Sequence, residues 1–199
     1  MKVTAFVQAR YNSTRLPGKV LKPILGVPML FMLLDRLKKS TKINEIVVLT
    51  SKESSDDVIV NECTKRKVEV FRGALDDVLD RFYCASTHYM SDHIVRITGD
   101  CPLLDWTIVD SVVGDHLKHK SDYTCNTIPP TFADGLDVEV LTKECLARVY
   151  KLAKTKAERE HVTFYCYSGE HGFTIKNIVN PRGNQANFRW TVDNSEDFE

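Results

Sequence analysis

The chain has 199 residues, of which 43% are hydrophobic and 27% are charged. This length and composition are typical of a folded protein with one substantial core, so we expect residues 1–199 to form a single domain. Lys and Arg together number 27, Asp and Glu also number 27, and the formal net charge is +0. This balance argues against a general nucleic-acid or membrane-surface binder, because such a protein needs a basic face.

The cysteines are scattered along the chain and form no CxxC motif or close Cys/His pair. We therefore expect reduced thiols, without a zinc site or a disulfide framework. The sequence contains no signal peptide and no apolar run of membrane-spanning length, which predicts a cytoplasmic location.

A basic loop follows the first predicted strand. Residues 3–7 form a short, apolar run of β-prone residues, as in a buried parallel strand. The loop at residues 8–21 then carries three cations, Arg10, Arg15 and Lys19. The carboxyl end of a first strand is where α/β proteins hold phosphates, and a triphosphate needs several cations around it. The loop therefore predicts a phosphate site.

Other residues of the loop fit the same interpretation. Residues 12–14 offer side-chain hydrogen bonds, and Gly18 permits backbone geometry that a Cβ would forbid. The loop is not a Walker A motif, because Val20 follows Lys19 where that motif needs Ser or Thr. A solvated surface loop with incidental charge is the alternative.

The next segments alternate between helical and strand patterns. In chain order they are a helix at 29–39, a strand at 46–49, a helix from the caps at 51–57 to about 67, a strand at 68–71, a helix at 75–90 and a strand at 93–97. Alternation of this kind predicts a largely parallel sheet with right-handed crossovers.

A second polar stretch, TGDCPLLD at residues 98–105, follows the fourth strand. Asp100, preceded by Gly99, lies where a divalent cation could bridge protein and phosphate. Mg²⁺ prefers one or two carboxylates together with substrate oxygens, which makes Asp100 the first candidate ligand. A turn aspartate without a metal is the alternative. Asp105 is predicted to cap a helix over 106–118, and support of the Asp100 site from behind is the alternative.

Beyond residue 120 the pattern becomes less regular. The predicted elements are strands at 123–127 and 136–141, a helix at 143–153, a strand at 173–179, a strand at 189–193 that carries Asp193, and the start of a helix at 195.

Asp137 and Glu139 alternate with apolar residues and either line a substrate site or form an exposed sheet face. His161 lies in a charged segment that equally fits a solvated helix. We expect that a longer natural protein has been trimmed at Glu199, in its C-terminal helix.

Six stretches together resemble the cytidylyltransferases that activate sugars as CMP derivatives. They are QARYNSTRLPGKVL, FRGALDDVLDRF, RITGDCPLLD, DGLDVEVL, EREHVTFY and RWTVDNSEDF. The chain is most similar to the spore-coat polysaccharide biosynthesis branch and more distantly similar to the CMP-Kdo and CMP-acylneuraminate synthetases. The resemblance implies the nucleotide-diphospho-sugar transferase fold, an α/β three-layer α/β/α sandwich with a mostly parallel mixed sheet.

The resemblance also implies roles for individual residues. Arg10, Lys19 and Asp100 would be catalytic, with Arg15 helping to hold the triphosphate. The wider nucleotide-binding set would be Gln8, Ala9, Arg10, Arg15, Gly18, Lys19, Arg72, Asp77, Thr98 and Gly99, with Arg72 and Asp77 in the segment that borders the base. Asp100 and Asp193 would bind Mg²⁺. His161 would lie beside the sugar, and Glu139 would neighbour the sugar or the metal.

The function so implied is Mg²⁺-dependent activation of an acidic sugar by CTP, with release of pyrophosphate, for surface polysaccharide or glycan biosynthesis. The expected partners are CTP and a small sugar, and no nucleic acid or membrane. Relatives are often dimers, which makes a homodimer possible, but the sequence leaves the oligomeric state open. A glycosyltransferase on a similar fold is one alternative, although Asp100-Cys101-Pro102 lacks its usual DxD motif. A non-catalytic nucleotide-binding module is the other. The sequence leaves open which sugar is used and what distinguishes cytosine from uracil.

Overall fold

A seven-stranded sheet forms the centre of the chain, in a computed structural model that describes residues 1–169 and 171–199. The strands are β1 (Val3–Gln8), β2 (Pro23–Ile24), β3 (Val27–Pro28), β4 (Glu45–Ser51), β5 (Glu69–Gly73), β6 (His93–Thr98), β7 (Tyr123–Cys125), β8 (Glu139–Thr142) and β9 (Ile175–Asn177). Strands β2 and β3 pair with each other in a separate ribbon. The order in the large sheet is β5-β4-β1-β6-β8-β7-β9.

The pairing is mostly parallel. Strand β1 runs parallel to β4 and β6, and β4 runs parallel to β5. Strand β8 is antiparallel to both β6 and β7, and β9 is parallel to β7. This mixed sheet confirms the predicted fold class.

Helices cover both faces of the sheet. They are α1 (Met29–Leu37), α2 (Asp57–Lys65), α3 (Val78–His88), α4 (Trp106–His119), α5 (Lys143–Leu152), α6 (Lys156–Glu160), α7 (Phe164–Tyr167) and α8 (Ser195–Phe198). One hydrophobic core lies between the sheet and α1, α2 and α4, and a second lies between the sheet and α3, α5 and α7. The chain is therefore a three-layer sandwich.

Among the described residues, none of the helices has both the length and the apolar character needed to cross a bilayer.

Strand alternation decides which polar side chains reach the α3 face. Phe6 of β1 and Ile94 of β6 belong to the core on that face, whereas Ala5, Val7 and Val95 beside them belong to the opposite core. Side chains alternate along a strand, so Gln8, Arg96 and Thr98 also lie on the α3 side. They stand at or near the carboxyl ends of adjacent parallel strands.

Local hydrogen bonds set the ends of two helices. Asp77 accepts a hydrogen bond from Asp80 N, which starts α3 at Val78 rather than at the predicted residue 75. Asp105 accepts one from Thr107 N, which confirms the predicted cap of α4. These side-chain acceptors satisfy backbone N–H groups that have no partner within the helix.

The prediction of a strand over 189–193 is wrong. In the described part of the chain this segment belongs to no strand and forms an isolated bridge, between Arg189 and Asp134. Near the end of this segment, Val192 N donates a hydrogen bond to Asp100 O at 2.9 Å, in the loop that follows β6. The strand predicted at 136–141 begins only at Glu139. Before Glu139, the backbone is hydrogen-bonded to the Asn126 side chain, which donates from Nδ2 to Leu136 O and accepts from Val138 N at Oδ1.

Candidate functional site

A cavity of about 270 Å³ opens at the carboxyl ends of β1 and β6, on the α3 side of the sheet. Most of the predicted site residues line it: Gln8, Ala9, Arg10, Arg15, Lys19, Thr98, Gly99, Asp100, His161 and Asp193. Further lining side chains were not predicted as site residues, among them Leu75, Val78, Arg81 and Arg96. The cavity therefore joins the basic loop, the TGDCP stretch and the late aspartate in one place.

Lys19 lies at the point where these segments meet. Its Nζ donates hydrogen bonds to Asp100 Oδ2 at 2.9 Å, to Asp193 Oδ1 at 2.9 Å and to the backbone oxygen of Val192 at 2.8 Å. The Lys19 side chain is only 9% exposed, so these charge-assisted bonds are partly shielded from water. Two carboxylates from distant parts of the sequence thus share one cation.

Backbone geometry at Gly18 brings Lys19 into this position. Gly18 has φ of +72°, in the left-handed region, and its N–H donates to Tyr11 O at 2.7 Å. A Cβ there would approach the Tyr11 ring to 3.1 Å. Glycine avoids both the strain and the contact, and the chain can then form the 3₁₀ turn Lys19–Leu21.

Gly99 brings the Asp100 loop close to β1. Its N–H donates to Gln8 O at 2.8 Å, and a Cβ at this position would lie only 2.8 Å from that same oxygen. A larger residue would separate the two strand ends. Gly99 therefore positions Asp100 next to the basic loop.

Asp193 is surrounded by cations. Besides Lys19, Arg15 Nη2 lies 2.9 Å from Asp193 Oδ1 and Arg189 Nη2 lies 2.6 Å from Oδ2. Burial alone would raise the pKa of Asp193, but hydrogen bonds from Lys19 and Arg189, with the charge of Arg15, hold that pKa below its usual value. Asp193 is therefore ionised at neutral pH.

The pair Asp100 and Asp193 suits a hard divalent cation. Mg²⁺ is usually bound by one or two carboxylates, with substrate and water oxygens completing its shell. Among the described residues, no group of three or more His, Cys, Asp or Glu is arranged to hold a metal ion. A cation between the two aspartates would therefore depend on oxygens from its ligand, which fits a phosphate-bearing substrate.

Arg81 is an unexpected member of the site. It belongs to α3 and is only 4% exposed, yet its Nε and Nη1 have no hydrogen-bond partner in the described structure. Burial, with a smaller contribution from Arg10, lowers the pKa of Arg81 to about 10, and the charge of Asp56 opposes that change. The guanidinium is therefore still protonated at neutral pH. Sequence periodicity alone gave no sign that Arg81 would face a cavity.

Arg96 lines the cavity from β6. It forms a buried ion pair with Glu139, which also accepts hydrogen bonds from Tyr123 Oη and Thr163 Oγ1, both at 2.6 Å. Burial would raise the pKa of Glu139, but Arg96 and these hydrogen bonds hold it below its usual value. Glu139 therefore lies behind the cavity wall and positions Arg96. An arginine within the apolar strand HIVRI was a signal that could have revealed this residue.

Arg72 and Asp77 do not line the cavity. Arg72 donates to the backbone oxygens of Ser51 and Glu53, both at 2.8 Å, and pairs with Asp57. Asp77 caps α3 and accepts a hydrogen bond from Arg159 Nε at 2.9 Å. Their role in binding a nucleotide stays a prediction.

Asp137 and Cys101 lie near the site, and both have raised pKa values, in contrast to Asp193. Burial, aided by the charges of Asp134 and Glu139, raises the pKa of Asp137 to about 6. Cys101 is buried, and its burial raises the thiol pKa well above the ordinary value, so the thiol is unreactive. All six cysteines are free, as the sequence predicted.

Comparison with known proteins places these features in a family. The family model described as "Cytidylyltransferase" matches residues 4–192. An uncharacterized protein of Methanocaldococcus jannaschii is 42% identical over 202 residues, covering 100% of this chain and 81% of that protein. The spore coat polysaccharide biosynthesis protein SpsF of Bacillus subtilis is 32% identical, covering 97% of this chain and 82% of its own length.

Solved structures give the same result. A cytidylyltransferase from Leptospira borgpetersenii superposes with a TM-score of 0.96 at 37% identity, covering 100% of this chain and 84% of that one. A CMP:2-keto-3-deoxy-manno-octonic acid synthetase, solved in complex with CTP, has a TM-score of 0.72 at 14% identity, covering 98% and 95% of the two chains. This second likeness shows a shared fold.

Proposed function

The chain belongs to the cytidylyltransferase family, as the sequence resemblance predicted, and we propose that it transfers CMP from CTP to an acidic sugar with the help of Mg²⁺. The products would be a CMP-sugar and pyrophosphate. The observation that carries the proposal is the convergence of Asp100 and Asp193 on the Lys19 ammonium, in a cavity that Arg10 and Arg15 also line. The names of the relatives suggest surface polysaccharide or glycan biosynthesis as the setting.

The basic loop would bind the triphosphate. Arg10, Arg15 and Lys19 supply three positive charges to the cavity, and half-buried Ser13 and exposed Thr14 also line it. Several cations are needed because a triphosphate carries more charge than one lysine can neutralise. These groups would also stabilise the negative charge on departing pyrophosphate.

Asp100 and Asp193 would hold Mg²⁺ in this account. When bound, the ion supplies positive charge that stabilises the phosphate oxygens during transfer. The aspartates come from separate segments, so the backbone bond from Val192 N to Asp100 O keeps them together. This bond makes the tail of the chain part of the site.

The sugar would bind on the side of the cavity formed by Arg96 and His161. Arg96 supports an acidic sugar, because its Nε is buried without a partner and can donate to a carboxylate. A sugar hydroxyl then attacks the α-phosphorus of CTP, a new P–O bond forms, and the bond to the β-phosphate oxygen breaks. The protein contributes mainly positioning and charge neutralisation.

The proposal is tested by pyrophosphate release from CTP and Mg²⁺ with a panel of acidic 2-keto sugars. We expect Asp100→Asn to lower turnover about 10²–10³-fold, the usual effect of removing one electrostatic contact in a transition state. Asp105→Asn is the matched control, because this residue caps α4 outside the cavity and asparagine is an equally good cap.

Three outcomes would contradict the proposal. They are no pyrophosphate with any sugar acid, near-normal turnover by Asp100→Asn, and equal losses in the Asp100 and Asp105 variants. Sugar transfer from a finished sugar nucleotide without pyrophosphate release would instead indicate a glycosyltransferase.

A further inference from the structure

Two residues that line the cavity, Gln8 and Arg81, carry buried polar atoms without a partner among the described residues. Gln8 Oε1 and the Nε and Nη1 atoms of Arg81 are buried and have no hydrogen-bond partner in the described structure. Both residues line the cavity. Buried polar groups are nearly always paired in folded proteins, and an unpaired one is costly. An unpaired acceptor and unpaired donors on two residues that line one cavity therefore indicate a polar ligand group that pairs with both.

We propose that Arg81 and Gln8 bind the hydrogen-bonding edge of the nucleotide base and select cytosine over uracil. This assignment rests on the proposed function, because it takes a pyrimidine triphosphate as the substrate. It adds two residues for base selection that line the cavity, as Arg72 and Asp77 do not.

The composition of the cavity separates a base end from a phosphate end. The cations and carboxylates around Lys19 occupy the side formed by the basic loop. Leu75 and Val78 lie on the α3 side beside Arg81, and Ala9 follows Gln8. A flat heteroaromatic ring needs apolar surface against its faces and polar partners at its edge. Only the α3 end of this cavity supplies both, so the ring belongs there and the phosphates belong at the loop.

The chemistry of the open atoms favours cytosine. Cytosine presents an amino group at C4, which donates, and two neighbouring acceptors, N3 and O2. Gln8 Oε1 accepts from the amino group, and the Arg81 guanidinium, which has only donors, pairs with the acceptors. Uracil has an N–H at position 3 and an oxygen at position 4, so the contacts at these two positions would become unfavourable, although O2 stays an acceptor. Arg81 cannot become an acceptor, because its guanidinium carries only donors.

The nearest carboxylate does not use the open donors of Arg81. Asp56 is buried and accepts hydrogen bonds from Tyr11 N at 2.7 Å and from the backbone N and side-chain Oγ of Ser51. It thus anchors the start of the basic loop to β4. Its charge helps to keep Arg81 protonated, while the Nε and Nη1 atoms of Arg81 stay available for a ligand.

Equilibrium binding of CTP, UTP and pyrophosphate, with Mg²⁺ and without sugar, tests the assignment. We expect the unsubstituted chain to bind CTP at least about tenfold more tightly than UTP, as a good base-edge contact discriminates by that amount or more. In Arg81→Gln the preference should fall to about threefold or less, while pyrophosphate binds as before. Gln8→Leu provides a second test that keeps every buried charge, and it should weaken CTP more than UTP.

Pyrophosphate serves as the internal control, because it reports the loop end of the cavity and the integrity of the fold. Arg66→Gln, at an exposed arginine that ends α2, is the matched arginine control, and we expect it to retain the full preference for CTP, whereas Arg72→Gln tests the residue that the sequence placed beside the base. The assignment is overturned if both the Arg81 and Gln8 variants keep the CTP preference, or if Arg72→Gln alone removes it. In both cases the proposed function stands. An unsubstituted chain that fails to bind CTP would refute the proposed function itself.

Discussion

At the scale of single residues, the main feature is the position of the Lys19 ammonium. It contacts the same two carboxylates that would hold Mg²⁺, at 2.9 Å from each. Asp193 also pairs with Arg15 and Arg189. A divalent cation must therefore compete with a protein cation for these oxygens. The triphosphate offers Lys19 an alternative anionic partner, so metal and nucleotide are expected to bind together.

This competition predicts that Lys19→Met binds a divalent cation more tightly in the absence of nucleotide. A unit charge a few Å away is worth about 4 kcal/mol at an effective dielectric constant of about 20, so a gain of at least about tenfold is expected even after strong screening. Titration with Mn²⁺ alone, followed by the electron paramagnetic resonance signal of the free ion, measures the affinity.

The same variant should bind CTP more weakly, because it has lost a phosphate contact. Lys38→Met, at an exposed lysine after α1, is the control and should change neither affinity. Unchanged Mn²⁺ affinity in Lys19→Met would show that the lysine and the ion do not share a site.

At the scale of elements, a histidine pair joins β6, α4 and β7. His116 is fully buried, its Nε2 lies 3.1 Å from His93 Nδ1, and its Nδ1 lies 2.9 Å from Thr124 Oγ1. Burial, together with the charge of His93, lowers the pKa of His116 to about 4, although Asp115 and Asp122 oppose that change. His116 is therefore neutral in the folded protein at physiological pH.

This pKa predicts that the fold loses stability as the pH falls from about 6.5 to about 4. The unfolded chain takes up the His116 proton near pH 6.5, and the folded chain takes it up only near pH 4. The difference of about 2.5 pH units corresponds to about 3 kcal/mol of unfolding free energy from this one group. Urea unfolding across this pH range measures the loss.

His116→Gln should remove that part of the pH dependence. His119→Gln, at an exposed position on the same helix, should leave it in place. If the two variants and the unsubstituted chain all show the same pH slope, His116 does not contribute in this way.

At the scale of the whole molecule, the site depends on bringing three distant segments together. The basic loop follows β1, the Asp100 loop follows β6, and the tail carries Asp193. Parallel neighbours in the sheet place the first two at the same edge. The tail is held by hydrogen bonds to the Asp100 loop and by buried Val192. The fold thus fixes a cation site whose ligands are far apart in sequence.

Sequence reasoning succeeded where a pattern reflects burial alone. Strands β1, β4 and β6 are mainly apolar because both of their faces are covered, and these strands were predicted with nearly correct bounds. The segment at 189–193 looks like such a strand but has no strand to pair with, so its true conformation depends on loop contacts that no local pattern encodes.

The same limit explains which site residues were found. The cations of the basic loop were visible because their charge is concentrated in a short stretch. Arg81 was missed because its function depends on which donors lack partners in the folded chain, and that is a property of packing. Arg96 was missed although a charge within an apolar strand is itself an unusual feature. Resemblance alone suggested Gln8, without the reason for its role.

The central claim is that Asp100 and Asp193 act as one cation site beneath the triphosphate. It is tested most directly by the factor by which Mn²⁺ increases CTP affinity in the unsubstituted chain and in Asp100→Asn, Asp193→Asn and the Asp105→Asn control. We predict an increase of at least about tenfold in the unsubstituted chain and the control, and almost none in either site variant, because metal and nucleotide affinities are reciprocally linked. A full increase in Asp100→Asn or in Asp193→Asn would contradict the account.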